Sequence, residues 1–260
     1  MCLPAGEDVA SKMRATAPRT ASLGFRGAGP LMELAALGRF GPALKPKLSV
    51  FVYYAGNDGE NLEHEMTQPW LRAALLEGAS FGGAEISPAQ ITKADGVIAA
   101  LWQDDADGLT RYRARVWRNF LALSQTFAAL GLHYPSAPKP QPEFAVIVAR
   151  AREIAAGWGG EVLFVFLPRA ERFRGGLNND FVFDQSRTPF FRAVKAAGLP
   201  AIDLTREFET DADPLSFYAE DGHFSPKGAA YVADLIIDFA DDRFNDAAGP
   251  EIAKAAEGGR

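Results

Sequence analysis

Disulfide chemistry is closed to this chain, because its single cysteine, Cys2, has no partner within the molecule. Histidine is scarce too: three residues leave few imidazole or soft ligands, and neither a metal nor another cofactor is implied. There is no cationic excess. The 33 acidic and 27 basic residues are interleaved along most of the chain, which leaves no broad basic surface for a phosphate backbone and argues against nucleic acid as a partner. No apolar run approaches the roughly 18 residues that a spanning helix needs. The first residues lack a basic start followed by an apolar stretch, so the 260 residues read as a soluble chain without a membrane segment or export signal. No internal repeat is evident, and neither localisation nor oligomeric state follows from the composition.

What is present is enough apolar material for one sizeable core, since 48% of the residues are hydrophobic. The expectation is one domain over residues 1–260 with a helical insertion or cap at about 62–132. Helical and strand-like patterns alternate, which predicts an α/β fold with a parallel sheet between helices. The pattern predicts a short helix at Glu7–Thr16, a short strand at Ala21–Phe25 and a helix opening at Pro30. Leu48–Tyr54 (LSVFVYY) and Glu161–Leu167 (EVLFVFL) read as strands buried on both faces. Further helices are expected at Phe144–Ala156, Thr188–Ala197 and Ser225–Phe239, and a short strand at Pro200–Leu204. Within the insertion the pattern is helical and Trp-rich, with Trp70, Leu71 and Leu75 on one piece and Tyr112, Val116, Phe120, Leu123 and Phe127 on another. A proline-rich stretch from His133 to Pro142 ends it.

Three short pieces carry chemistry. The first is the glycine-rich turn around Gly27, whose backbone N–H is open to a close-approaching anion and which otherwise serves as a plain turn. The second is Gly56-Asn57-Asp58 at a strand's carboxyl end, where ligands collect in open α/β sheets. There the Asn57 amide is a donor for an oxyanion or the closure of an Asx-type turn. The third is Glu220-Asp221-Gly222-His223, directly before a helix opened by Ser225 and Pro226. A carboxylate beside an imidazole holds one tautomer and stabilises its cation, as a general base requires. By contrast, His64 in Glu63-His64-Glu65 and His133 read as surface residues, since consecutive helical residues point apart. Arg169, Arg172 and Arg174 read as a solvated basic loop rather than an anion site.

Taken in order, Gly27, Gly56-Asn57-Asp58 and Asp221-x-His223 followed by Pro226-x-Gly228 resemble the SGNH (GDSL-like) hydrolases, whose four blocks contribute Ser, Gly, Asn and His to one site. The resemblance runs from the first helix to the last. It implies a flavodoxin-like three-layer α/β/α sandwich and acyl transfer from an ester to water or a sugar hydroxyl. His223 would be the base, Asp221 its orienting acid with Glu220 in reserve, and the Gly27 N–H and Asn57 amide the oxyanion donors. Two departures stand out. The commoner family spacing puts the acid three residues before the histidine, at Glu220, and the family's Gly-Asp-Ser block has no counterpart here. Ser11 and Ser22 lie in other contexts. The opening accordingly reads as a sheet whose first strand is missing, with Met1 an internal methionine, and as an inactive form of a serine hydrolase acting on a small-molecule or carbohydrate ester. The alternative is a non-catalytic SGNH-like module that binds a carbohydrate or acyl ligand.

Overall fold

The computed structural model describes residues 6–24, 27–82, 87–104, 141–174, 180–219 and 222–245, with scattered positions between 116 and 130. The chain falls into two compact units, Gly29–Ile202 and the pair of segments Met1–Ala28 and Asp203–Arg260.

The unit Gly29–Ile202 is an α/β arrangement, as the alternating pattern requires. Its elements run α2 (Pro30–Leu44), β1 (Leu48–Tyr54), α3 (Asp58–Glu65), α4 (Pro69–Arg72), a 3-10 turn (Ala73–Leu75) and α5 (Pro88–Asp104). Then follow α6 (Pro142–Ala156), β2 (Glu161–Leu167), a second 3-10 turn (Ala170–Phe173), α7 (Asp180–Ala196) and β3 (Ala201–Asp203), whose last residue crosses into the other unit. The sheet is parallel with order β1-β2-β3, and β1 pairs with β2 from Leu48 on Glu161 to Tyr54 on Leu167.

That register sets the core. It places Phe51 opposite Phe164 and Tyr53 opposite Phe166, with ring centroids 5.0 and 6.0 Å apart. Phe144 of α6 and Phe190 of α7 close over these rings; Phe190 lies 5.2–6.2 Å from Tyr53, Phe144, Phe164 and Phe166. Aromatic pairs at these separations add to the area they bury. β2 is buried on both faces, as its uninterrupted apolar run predicts. β1 departs from that expectation. Only Phe51 and Tyr53 are buried, whereas Leu48, Val50, Val52 and Tyr54 keep part of their surface. The exposure alternates along the strand, so it follows the face: Phe51 and Tyr53 point to the side that Phe144 and Phe190 cover, and Val50, Val52 and Tyr54 to the other.

In the other unit, α1 (Val9–Thr16) is capped by Asp8, whose side chain accepts from Ser11 N–H. It packs against α9 (Pro226–Asn245). Between β3 and α9 come α8 (Leu204–Glu209) and a 3-10 turn (Pro214–Phe217). Phe208 stacks on Phe217 at 4.3 Å, and Tyr231 of α9 lies 5.0 Å from the Phe217 ring; Ala229, Val232, Ala233 and Ile236 of the same helix are buried. The short helix α8 was not expected from the sequence; Asp203 caps it by accepting from Thr205 N–H. The strand expected at Ala21–Phe25 is also revised. Residues 21–24 are irregular and exposed, and a strand without a ladder partner gains nothing from being extended.

Candidate functional site

The carboxyl end of β1 is built by three consecutive residues with different tasks. A Cβ on Gly56 would meet the Tyr54 ring at 2.2 Å, so only glycine leaves space for that ring. Asn57 precedes α3 with φ −148° and ψ −8°, yet its side chain makes no capping bond, and the residue is exposed. Asp58 steadies the strand exit instead: its Oδ2 accepts from Tyr54 N–H at 2.8 Å. The Asx-type closure weighed for Asn57 is therefore not made, and the amide is left exposed at a strand's carboxyl end.

Asp58 is buried, with 6% of its surface exposed. Burial pushes its carboxyl up to about 7, a rise opposed by the Tyr54 N–H and the Asn61 side chain and aided by Glu65. Two more acids share this environment. Glu33 of α2 keeps some surface as a residue, but its carboxyl is desolvated and lies close to Asp58 and Glu65, so it is held well above the carboxylate range. Glu65, also buried, is raised by desolvation and partly restored by backbone N–H groups of Gly29, Leu31 and Met32. Burial raises the Tyr53 hydroxyl as well, with Asp58 adding to the effect.

The glycine-rich turn divides its work between two glycines. Gly27 takes φ +79°, the left-handed region that disfavours a side chain, and is exposed with open space where a Cβ would stand. Gly29 precedes α2 and has no side chain with which to cap it. Glu65 supplies the cap from α3: Oε1 accepts from Gly29 N–H at 2.6 Å and Oε2 from Leu31 N–H at 3.0 Å. A Cβ on Gly29 would stand 2.7 Å from Asn61 Cβ and 2.9 Å from Glu65 Oε2. Glu33 stands in no motif that the sequence singles out, and Glu65 is met there only beside His64. The signal for Glu65 was indirect: a helix opening with Gly-Pro has no capping side chain of its own.

His223 sits on a closed turn. Tyr218 and Phe224 form an antiparallel bridge, Ala219 N–H donates to His223 O at 2.7 Å, and Gly222 N–H donates to Ala219 O with Gly222 at φ +85°. The turn runs into α9 through Ser225, whose Oγ donates to Ser216 O and accepts from Gly228 N–H. Gly228 is required here, because a Cβ would lie 2.1 Å from Phe217 O. His223 is exposed, on the turn that leads into that helix. Asp221 and Glu220 lie outside the described residues, as do Cys2 and His133. Gly27 and His223 belong to one compact unit and Asn57 to the other.

The remaining candidates separate cleanly. His64 is exposed while the adjacent Glu65 is buried, as neighbours on a helix should be. Among the described residues no group of His, Cys, Asp and Glu could hold a metal ion, and no helix is long and apolar enough to cross a membrane. The solvated reading of the arginine loop is corrected for Arg172. Its side chain is 6% exposed and pairs with Asp180 at 3.0 Å and Asp184 at 2.8 Å, pinning the loop to α7. Compared with known proteins, the chain matches no family model and resembles neither a curated protein nor a solved structure.

Proposed function

We propose that the chain carries the base and oxyanion half of an SGNH-type acyl-transfer site, acting on an ester with water or a sugar hydroxyl as acceptor. The reading rests on one observation: glycine, G-N-D and D-x-H pieces occur in the family's order, each at a turn ahead of a helix. Gly27 is exposed and left-handed before α2, Asn57 is exposed at the carboxyl end of β1, and His223 is exposed before α9. The fold proposed with it is the flavodoxin-like sandwich. Such a sheet holds its nucleophile strand centrally, and β1 has room for another strand on its free edge.

In this reading a serine hydroxyl attacks the ester carbonyl as His223 takes its proton, with Asp221 orienting the imidazole. The Gly27 N–H and the Asn57 amide receive the developing oxyanion. His223 then returns the proton to the departing alcohol, and water or a second alcohol repeats the sequence on the acyl-serine. None of the serines in the 260 residues stands in a Gly-Asp-Ser block. That observation favours the second reading, an SGNH-like module that binds a carbohydrate or acyl ligand without turnover.

The experiment compares hydrolysis of p-nitrophenyl acetate by the 260-residue chain and by a chain extended upstream with a Gly-Asp-Ser-bearing strand. The short chain should be nearly inert, and the extended one should turn over and lose about 10³-fold or more in kcat on His223→Ala. An extended chain that binds acylated saccharide without hydrolysing it would establish the binding module instead. Robust hydrolysis by the short chain, abolished by His223→Ala, would overturn the account.

A further inference from the structure

The turn that follows β2 carries more positive charge than its own acids cancel. Arg169 and Arg174 flank the 3-10 turn Ala170–Phe173, both on extended backbone, and Arg172 lies within it. Arg172 is balanced: Asp180 and Asp184 face it, with Arg187 3.6 Å from Asp184. Arg169 and Arg174 share one acid. Burial alone would raise the Glu171 carboxyl, yet Arg169 and Arg174 together hold it below the usual carboxylate range. Among the described residues neither arginine has another acidic partner, so two cations face one anion.

The pair is open to a ligand, and the turn beneath it is fixed. The Arg169 side chain keeps a quarter of its surface, and its Nε stands 3.4 Å from Glu171 Oε2, long for a charge-assisted bond. Arg174 is half-buried. Ala170 is buried, Arg172 N–H donates to Arg169 O and Arg174 N–H to Glu171 O, and the Arg172 pairs tie the turn to α7. The two guanidinium groups are thus held about one carboxylate before any ligand arrives, which lowers the ordering cost of binding.

The place of the turn in the sheet is equally defined. β1 and β2 are parallel neighbours, and Ala55 N–H donates to Leu167 O at 2.9 Å. Asn57 follows Ala55 by two residues, as Arg169 follows Leu167, so the two turns leave adjacent strands at the carboxyl end of the sheet, within one compact unit. Asp58 and Glu65, at the exit of β1, are buried and already accept from the backbone N–H groups of Tyr54, Gly29 and Leu31.

We propose that Arg169 and Arg174 form a carboxylate-binding subsite at the carboxyl end of β2, beside the Asn57 turn, so that the ligand taken there bears a free carboxylate. The guanidinium fork matches a planar carboxylate, and Glu171 is itself the carboxylate that the two arginines now hold. The excess is one positive charge, the complement of one carboxylate, whereas a phosphate monoester brings nearly two negative charges. Where this inference names a substrate class, an ester that keeps a free carboxylate, it rests on the acyl-transfer reading; the binding of the carboxylate does not.

The first arm needs no variant and no catalysis. The arginine side-chain Nε–H signals of the 260-residue chain are followed by NMR during titration with adipate, dimethyl adipate or inorganic phosphate at constant ionic strength. The Arg169 and Arg174 signals should shift and saturate with adipate, stay in place with the uncharged diester, and move while that of Arg172 does not. Combining Arg169→Gln with Arg174→Gln should weaken adipate at least about tenfold with unchanged circular dichroism. In the second arm, the chain extended with a Gly-Asp-Ser-bearing strand should favour mono-p-nitrophenyl adipate over p-nitrophenyl hexanoate in kcat/KM, and the double variant should lower that ratio at least about tenfold through KM.

No saturable shift at Arg169 and Arg174, an equal response at Arg172, or tighter binding of phosphate than of adipate would each overturn the proposal. An extended chain inert toward both esters while adipate still binds would remove the acyl-transfer reading and leave the carboxylate subsite standing. One that hydrolyses both esters at a ratio the double variant does not change would overturn the subsite and leave that reading standing.

Discussion

Glycine serves two separate physical needs in this chain, and the difference decides what substitution does. At Gly27 the requirement is conformational, since φ +79° is costly for a side chain while the surrounding space is empty. At Gly228 it is steric: the backbone of α9 comes so near Phe217 O that an added Cβ would stand 2.1 Å away. A rigid backbone carbonyl cannot yield as a flexible side chain can. Gly228→Ala should therefore destabilise by about 1–3 kcal/mol or more, read as a lower denaturant midpoint, while an alanine at the open, helical Gly96 should be neutral or stabilising. Equal effects at the two positions would contradict this account. Asn57 shows the converse economy. Its neighbour Asp58 takes the structural hydrogen bond, so the Asn57 side chain is not needed to hold the turn.

At the scale of elements, α2 and α3 are tied by one side chain. Gly29 gives the helix a start with no cap, and Glu65, from the last turn of α3, accepts from both Gly29 and Leu31 N–H. Buried donors left without partners cost about 1–3 kcal/mol each. Glu65→Ala should accordingly lower stability by a few kcal/mol, and Glu65→Gln by less, because an amide oxygen still accepts one of the two bonds. Thermal melts of both variants at one pH test the ordering. β1 is held asymmetrically in the same manner, with its odd-numbered groups in the ladder and Tyr54 N–H taken by Asp58.

At the scale of the whole molecule, the buried acids make stability depend on pH in an unusual direction. The folded-state carboxyl of Asp58 lies near 7, above its unfolded value of 3.8. Its contribution is therefore fully present below pH 3.8 and is lost as pH rises through about 7. Glu33 and Glu65 are raised as well and act in the same sense, whereas Asp8, lowered first by its Ser11 hydrogen bond, acts in the opposite one. The clean measurement is a difference. Asp58→Asn keeps an acceptor for Tyr54 N–H and removes the titration, so its stability relative to the unaltered chain should rise between about pH 4 and pH 8. The upper limit of the gain is about 4 kcal/mol. A difference that stays flat with pH would show that Asp58 is ionised in the fold at little cost.

Local pattern carried much of this protein into view. β1 and β2 run over the residues that their apolar, β-branched and aromatic composition marks, α2 opens at the proline that suits a first turn, and α9 opens at Pro226. Those features depend on near neighbours in the chain, so the sequence determined them by itself. The same holds for the α/β class and for the position of Asn57 at a strand's end. What only the tertiary structure decided involves partners far apart in sequence: Glu65 capping a helix 34 residues earlier, Arg172 buried against two aspartates of α7, and Gly228 pressed on Phe217 O. It also decided the half-exposure of β1, since an apolar strand reads alike whether one or both of its faces are closely covered. Strand order is a property of the assembled sheet, and the period of side chains along a strand carries no record of it.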